Sequence, residues 1–304
     1  MSKLDMSVNI AGLELKNPVT TASGTFSARD SGMFYDISRL GAVITKGVAS
    51  EPWEGNPTPR IAESYGGMIN SIGLQNPGVD VFIKEELPYL SGFNVPVIAN
   101  VAGKSIAEYC AVVEKLNETK VSMMEINISC PNVKEGGISF GTSARMAAEV
   151  TREVKKIAKK PLILKLTPNV TDITEIAKAV VAEGADCVSL INTLLSMRID
   201  VKTKRPVLAN KFGGLSGPGI MPVALRMVYQ VRRAVDVPVI GMGGIMTGED
   251  AAEFLLAGAD AVSVGTAALV DPTAPVRIIE ELEKYMVEQG FTGIIELKGS
   301  YREG

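Results

Sequence analysis

Short runs of β-branched residues alternate with amphipathic helical stretches along almost the whole chain, and this alternation limits the possible folds more than any other feature. Each run has the length of a buried strand. Eight of them can be counted: PVTTAS (18–23), GAVITK (41–46), PVIANV (96–101), SMMEINIS (122–129), PLILKLT (161–167), DCVSLIN (186–192), VPVIGMG (237–243) and DAVSVGT (260–266). An eightfold β/α order predicts a TIM (β/α)8 barrel of the α/β class.

Helical periodicity fills most of the gaps between these runs. Apolar residues recur there at three- and four-residue spacing, as expected of helices that pack one face against a sheet. The predicted helices cover 105–116, 143–158, 173–183, 222–234, 248–257 and 275–289. A chain of 304 residues could form two average domains or one large barrel, but no linker or change of composition divides it. We therefore expect a single domain over residues 1–304.

Three segments exceed the needs of a minimal barrel. Residues 7–18, SVNIAGLELKNP, alternate around Gly12 and predict a hairpin that caps the N-terminal end of the barrel. Residues 49–77 are rich in proline and glycine and follow the second strand, on the face where barrels keep their chemistry, so we expect them to cover a substrate. Residues 197–217 are too long for a simple connection and predict a small hairpin above the same face.

Composition excludes several kinds of function. The chain has no histidine, so the usual general base and the usual zinc ligand are missing, and proton transfer must use Cys, Lys, Asp, Glu or Tyr. Cys110, Cys130 and Cys187 lie far apart and predict neither a metal or iron–sulfur site nor a disulfide framework. A net charge of -3 offers no basic field for nucleic acid, and no apolar run has membrane length. We expect a soluble cytoplasmic protein.

Glycines follow the last two predicted strands, where many barrels bind phosphate. They form Gly241-Met-Gly-Gly-Ile245 and Gly265-Thr266, and the segment from Leu215 to Gly219 could supply a third group of backbone N–H donors. Glycine lets a backbone approach a phosphate closely, although glycines also close ordinary loops. Two such sites at successive strand ends favour phosphate binding.

Lysines and asparagines stand at the ends of other predicted strands. Lys46 and Lys165 would be costly to bury without an anionic partner, although either side chain could extend to the rim instead. Asn100, Asn127 and Asn192 end strands three, four and six. Because an amide is both donor and acceptor, a ring of amides suits a flat ligand with an imide, such as a pyrimidine or an isoalloxazine.

The fourth run ends in EINISCPN (125–132), which places a thiol directly after a strand. Pro131 has no backbone donor and stops the ladder, so Cys130 is expected just beyond the strand end. An isolated Ser-Cys-Pro would be more typical of a buried structural cysteine. The surrounding amides, lysines and glycines favour an active-site thiol instead.

Together these motifs resemble the dihydroorotate dehydrogenase family, and in particular its class 1B catalytic subunits, over nearly the whole chain. The resemblance rests on NPVTTASGTF, TKGV, NSIGLQNPG, EINISCPN, LKLTPN, INT, GLSGPG, GMGGI and SVGTA. It implies oxidation of dihydroorotate to orotate in pyrimidine biosynthesis by a barrel that binds FMN. It also implies that Cys130 removes the proton from C5 of dihydroorotate while a hydride passes from C6 to flavin N5.

The resemblance further implies two sets of binding residues, and Lys165 would in addition stabilise negative charge on the reduced flavin. The implied FMN site is Ser23, Lys46, Gly47, Asn100, Asn127, Lys165, Ile191, Gly217, Gly243, Gly244, Gly265 and Thr266. The implied orotate site is Lys46, Asn70, Ser71, Ile72, Gly73, Leu74, Asn127, Asn132, Asn192 and Thr193.

The class determines which molecule reoxidises the flavin. Similarity to class 1B implies a homodimer core within a heterotetramer, whose second subunit carries FAD and a [2Fe-2S] cluster and passes electrons to NAD. Alternatives are a fumarate-linked class 1A enzyme, which also uses cysteine, and a dihydropyrimidine dehydrogenase chain, which typically has histidine where this sequence has Asn132. A barrel that binds a phosphate ligand without catalysis would lack the set formed by Lys46, Asn70 and Cys130.

Overall fold

The computed structural model of the protein describes residues 4–129 and 140–303. The strands are β1 (Val8–Ile10), β2 (Leu13–Leu15), β3 (Val19–Thr21), β4 (Val43–Ile44), β5 (Ile61–Ser64), β6 (Gly67–Asn70), β7 (Val97–Val101), β8 (Met123–Asn127), β9 (Leu162–Lys165), β10 (Cys187–Leu190), β11 (Leu194–Met197), β12 (Ile199–Asp200), β13 (Arg205–Pro206), β14 (Phe212–Ser216), β15 (Val239–Met242) and β16 (Ala261–Val264). The α-helices are α1 (Ala28–Ser31), α2 (Val79–Val81), α3 (Leu87–Leu90), α4 (Ile106–Asn117), α5 (Ala144–Ile157), α6 (Ile173–Ala182), α7 (Met221–Ala234), α8 (Gly248–Leu256), α9 (Thr266–Val270), α10 (Ala274–Glu288) and α11 (Ile294–Gly299). Short 3₁₀ turns cover Ile37–Arg39, Phe140–Thr142 and Pro218–Ile220, and a π-helical turn covers Phe82–Glu86.

The central sheet is a closed barrel of parallel strands. In the described part of the chain its order is β3, β16, β15, β10, β9, β8, β7 and β4, and a parallel bridge between Thr20 and Ala42 joins the first strand to the last. Each of the eight predicted runs contains one of these strands, so the predicted TIM barrel is confirmed. The six predicted helices correspond to α4, α5, α6, α7, α8 and α10, with ends within one residue of the prediction.

The N-terminal hairpin seals the lower end of the barrel, as predicted. Strands β1 and β2 pair in antiparallel register, and Ile10 and Leu15 point into the core of the barrel interior. There they join buried side chains from the barrel strands, including Ile98, Met123 and Ile163. Burying each of the two hairpin side chains contributes about 1.5–3 kcal/mol. Hydrophobic packing therefore closes this end and leaves the opposite end for a ligand.

The two long insertions form one structure above the C-terminal face. Strands β5 and β6 of the first insertion and β11 and β14 of the second make an antiparallel sheet in the order β11, β14, β6, β5, which we call the cover sheet. The predicted hairpin within residues 197–217 is confirmed, but it begins earlier, at Leu194, and contains a smaller inner ladder of β12 and β13. Pairing of the two insertions through β6 and β14 was not predicted.

Helices surround the barrel and bury one face each. Side-chain caps begin several of them: Ser105 accepts from the backbone of Glu108, and Thr247 and Asp250 form a capping box at the start of α8. Among the residues that the structure describes, none of these helices combines the length and the apolar character that a membrane crossing requires.

Candidate active site

A cavity of about 530 Å³ lies between the carboxyl ends of the barrel strands and the cover sheet. Strand ends supply one part of its lining, and the cover sheet supplies Ile61, Met68 and Phe212. The volume falls in the range that holds small ligands and cofactors. Ligand and catalytic groups in α/β barrels belong at this end, because all eight strands direct their C-terminal loops towards it.

The loops after β15 and β16 form a glycine-lined wall of the cavity. Gly243, Gly244 and Gly265 line it, together with Gly217 from the segment after β14. A Cβ atom added at Gly244 would lie 2.6 Å from the Cβ of Met221, and one added at Gly243 would lie 2.8 Å from the Cβ of Ala224. Glycine is therefore required here by close packing, and the backbone itself faces the cavity. Such a wall presents N–H groups to an anion.

Lys165 is the most deeply buried cation of the cavity. It is the last residue of β9, its side chain is only 6% exposed, and it lines the cavity. Its ammonium lies 3.6 Å from a carboxylate oxygen of Glu125, which is fully buried. A buried ammonium needs this kind of counter-charge, because desolvation otherwise disfavours its charged form.

Lys46 supplies a second cationic side chain on a different part of the wall. It follows β4 and is half-buried, and this burial lowers the pKa of its ammonium. Glu86, at the end of the π-helical turn, opposes that shift, whereas Arg60 adds to it. Burial in turn raises the pKa of the Glu86 carboxyl. An anionic ligand beside Lys46 would be attracted by a cation that the surrounding protein only partly compensates.

Amide side chains lie close to these lysines. The Asn127 side-chain oxygen accepts from the Ser129 backbone at 3.2 Å and faces the Asn192 amide nitrogen at 3.4 Å. Asn70, at the end of β6, also lines the cavity. Because the network orients Asn127 through its oxygen, its nitrogen remains a donor for a ligand acceptor. This is the environment expected for a planar molecule with alternating carbonyl and N–H groups.

The segment after β6 is held in place by polar contacts. The Ser71 hydroxyl accepts from the Asn56 side chain at 2.9 Å and from the Asn210 side chain at 3.2 Å. The Arg60 carbonyl accepts from the Ser71 backbone at 2.7 Å, and its guanidinium donates to the Gln75 side chain at 2.7 Å, which anchors the far end of the segment. These bonds tie the first insertion to the second, so the cover sheet and the 70–74 backbone form one framework around the cavity.

The structure brings together most of the residues predicted from the sequence. The cavity is lined by Ser23, Lys46, Gly47, Asn70, Ser71, Ile72, Gly73, Leu74, Asn127, Lys165, Ile191, Asn192, Thr193, Gly217, Gly243, Gly244, Gly265 and Thr266. Asn100 is not among the lining residues: it is fully buried behind Gly47, and its side-chain oxygen is buried without a hydrogen-bond partner in the described chain. Cys130 and Asn132 lie outside the described residues, so their roles stay predictions.

Sequence reasoning missed Glu125, the buried carboxylate that pairs with Lys165, and the side chains that donate to it. Glu125 accepts from the Asn100 side chain at 2.5 Å and from the Ser189 hydroxyl at 2.8 Å. The available signal was a single glutamate within an apolar strand, because a buried carboxylate requires compensating groups. Its partners Asn100, Lys165 and Ser189 could not be identified from the sequence, since they come from three other strands.

Comparison with known proteins identifies relatives across the whole chain. A family model described as dihydroorotate dehydrogenase matches residues 5–286. A protein from Alkaliphilus metalliredigens, named dihydroorotate dehydrogenase B (NAD(+)), catalytic subunit, is 62% identical over 301 residues, which are 99% of this chain and 100% of that protein. Proteins of the same name from Lachnoclostridium phytofermentans and Geotalea uraniireducens are 56% and 55% identical, covering 97% and 99% of this chain and 99% of each relative.

Proposed function

The chain belongs to the dihydroorotate dehydrogenase family, and from this premise we propose that its cavity holds FMN and dihydroorotate side by side. The family activity is oxidation of dihydroorotate to orotate in pyrimidine biosynthesis, as the motifs predicted. The observation that carries the proposal is that one cavity collects every predicted FMN residue except Asn100. Residues 1–304 would then act as a single FMN-binding domain.

The residues present fit FMN in chemistry and in space. The wall of Gly217, Gly243 and Gly244 offers backbone N–H groups where a phosphate can approach closely. Lys165 offers a buried positive charge, and Asn127 offers an amide donor. When bound, FMN would accept the hydride that leaves C6 of dihydroorotate. A preorganised cation lowers the cost of developing negative charge, because it needs no reorganisation during the reaction.

A different subset of residues suits dihydroorotate. Lys46 would pair with the substrate carboxylate, which would replace the water that burial has removed from the ammonium. The amides of Asn70, Asn127 and Asn192 would bind the carbonyl and N–H groups of the ring. Together they would fix the ring so that C5 and C6 face the two reaction partners.

We propose Cys130 as the base that removes the C5 proton. Support comes from its neighbour Ser129, which lines the cavity and donates its hydroxyl to the backbone carbonyl of Lys165 at 2.7 Å. Ser129 immediately precedes Cys130 in the sequence. A cysteine has a reference pKa near 8.5, and in a chain without histidine it is the side chain nearest to neutral pH.

We further propose an electron-transfer partner. The relatives are named as NAD(+)-linked catalytic subunits, which supports a second subunit for this chain as well. By family resemblance that subunit would carry FAD and a [2Fe-2S] cluster, would join a homodimer of this chain in a heterotetramer, and would deliver electrons to NAD in the cytoplasm.

The experiment is to purify the chain alone, release its ligand by denaturation and identify it, and then titrate the native protein with orotate. We expect FMN at one per chain and an orotate-dependent change in the flavin spectrum. Uracil, which lacks the carboxylate, is the matched control and should bind much more weakly. A chain that binds no flavin, or that does not distinguish orotate from uracil, would contradict the proposal.

A further inference from the structure

Glu125 is a fully buried carboxylate that neither ligand site uses. It lies in the middle of β8, two residues before Asn127, and it does not line the cavity. Taking a carboxylate out of water carries a large desolvation penalty, so such a group persists only where other groups compensate its charge. The contacts of Glu125 show which groups do this.

Three strands supply the partners of the carboxylate. One oxygen accepts from the Asn100 side chain of β7 at 2.5 Å, and the other accepts from the Ser189 hydroxyl of β10 at 2.8 Å. The Lys165 ammonium of β9 lies 3.6 Å from the oxygen that Asn100 contacts. Two neutral donors thus fix the carboxylate, and the cation stands next to it.

The distance between the Lys165 ammonium and the Glu125 carboxylate is longer than that of a charge-assisted hydrogen bond. Charge-assisted N–H···O bonds measure about 2.7–2.9 Å, so at 3.6 Å the ammonium is paired electrostatically and keeps donors free. Lys165 reaches the cavity, whereas Glu125 stays behind it. The carboxylate therefore acts on a ligand only through the lysine.

Few other charges surround this pair in the part of the chain that the structure describes. Lys46 lines the same cavity and has the same sign as Lys165. Cys187 precedes Ser189 by two residues on β10, and burial raises the pKa of its thiol, so that it stays neutral. Among the described residues, Glu125 is the carboxylate that lies in salt-bridge range of Lys165. Without it, the ammonium would face desolvation with no compensation.

We propose that Glu125 is a positioning residue that keeps Lys165 protonated and directed at the flavin. This inference rests on the proposed FMN site. Asn100 and Ser189 donate to the carboxylate and hold it in place, and its negative charge in turn favours the charged form of the buried Lys165 ammonium. The enzyme thereby has a permanent cation beside the flavin before and after reduction.

The proposal predicts how the midpoint potential of bound FMN depends on pH. In Glu125→Gln the amide oxygen can accept only one of the two hydrogen bonds, because the amide nitrogen is a donor, and the negative charge is lost. The proposal then requires that Lys165 gives up its proton more readily than in the wild type while the flavin is oxidised. Reduction then makes the flavin more negative, and Lys165 takes up a proton from solvent to compensate. The midpoint potential of this variant should fall more steeply with pH than that of the wild type, because its two-electron reduction takes up one more proton.

The experiment is a spectroelectrochemical titration of the FMN-loaded chain, with mediator dyes, at a series of pH values around 7. Glu125→Asp, which retains the charge, should restore the wild-type slope. The double variant Lys165→Met with Glu125→Gln has neither the ammonium nor the carboxylate, so it should show no additional proton. A wild-type slope in Glu125→Gln would overturn the proposal, because a purely structural role does not change proton uptake.

A second measurement tests the proposal if the Glu125→Gln variant does not fold. Lys165→Met leaves a buried unpaired carboxylate, whereas Lys165→Met with Glu125→Gln leaves neither charge. The double variant should therefore resist urea better than Lys165→Met in the flavin-free protein. Equal resistance would show that the two charges are not coupled and would overturn the proposal. Absence of FMN from the wild type would instead contradict the proposed function, and this stability comparison would remain informative.

Discussion

Gly244→Ala tests whether the glycine wall is the phosphate-binding surface. Gly244 has φ +89°, a conformation that costs a residue with a Cβ atom about 1–2 kcal/mol. The added Cβ would also lie 2.6 Å from the Met221 Cβ and 3.0 Å from the Gly217 carbonyl oxygen. Relieving such overpacking typically costs about 1–3 kcal/mol more. We expect a total loss of about 2–5 kcal/mol of unfolding free energy.

The clash should also weaken FMN binding, because relief requires the loop at Gly244 or the segment at Gly217 to move. One lost hydrogen bond to a charged group is worth about 1.5–3 kcal/mol, which is about a tenfold to hundredfold loss of affinity. The assay is quenching of FMN fluorescence on binding to flavin-free protein, with urea unfolding measured in parallel.

Gly290→Ala is the matched control. Gly290 follows α10 with φ +78°, and an added Cβ would meet nothing within 4 Å. It carries the same backbone cost without the clash and lies outside the cavity lining. We expect it to lose about 1–2 kcal/mol of stability and to bind FMN normally. Wild-type FMN affinity in Gly244→Ala, or an equal loss in Gly290→Ala, would refute the reasoning.

Two further predictions concern substrate residues, and a third concerns the Glu86 carboxyl, which attracts the Lys46 ammonium. Cys130→Ala should keep FMN and bind orotate but slow flavin reduction by dihydroorotate about 10²–10⁴-fold in anaerobic stopped-flow, and a near-normal rate would remove Cys130 from its role. Lys46→Gln should raise KM for dihydroorotate about tenfold to a hundredfold in steady-state assays, and an unchanged KM would exclude a carboxylate contact. The pKa of Glu86 is raised by burial, so the folded state binds more protons and stability should fall as pH rises through that pKa. Glu86→Gln should flatten this slope in urea midpoints taken from acidic to neutral pH, and a slope equal to wild type would contradict the assignment.

The barrel could be predicted because its signals are local. A parallel strand that is buried on both faces is a continuous apolar run, and every predicted run contained a strand. Helix ends were predicted within one residue because their apolar periodicity stops there. The cover sheet was not predicted as one sheet, because its central pairing of Ile69 with Leu215 joins two segments far apart in sequence. Local patterns indicate hairpins but do not identify such partners.

Most residues that line the cavity could also be predicted from the sequence. Residues at strand ends converge on one edge of a barrel, so lysines, amides and glycines chosen from different strands do line one cavity. Asn100 met the same criterion, but it lies behind Gly47 and contacts Glu125. Whether a side chain of a barrel strand faces the cavity or the layer beneath it depends on strand tilt and stagger, which the sequence alone does not show.

The most direct test of the central claim is anaerobic mixing of the FMN-loaded chain with dihydroorotate, without NAD or any partner, while the absorbance of the oxidised flavin is recorded. Dihydrouracil, which lacks the carboxylate, is the parallel sample. The account predicts that dihydroorotate abolishes the oxidised flavin absorbance, that dihydrouracil does not, and that NADH alone leaves it unchanged. Flavin that stays oxidised with dihydroorotate, or that dihydrouracil reduces equally well, would contradict the account.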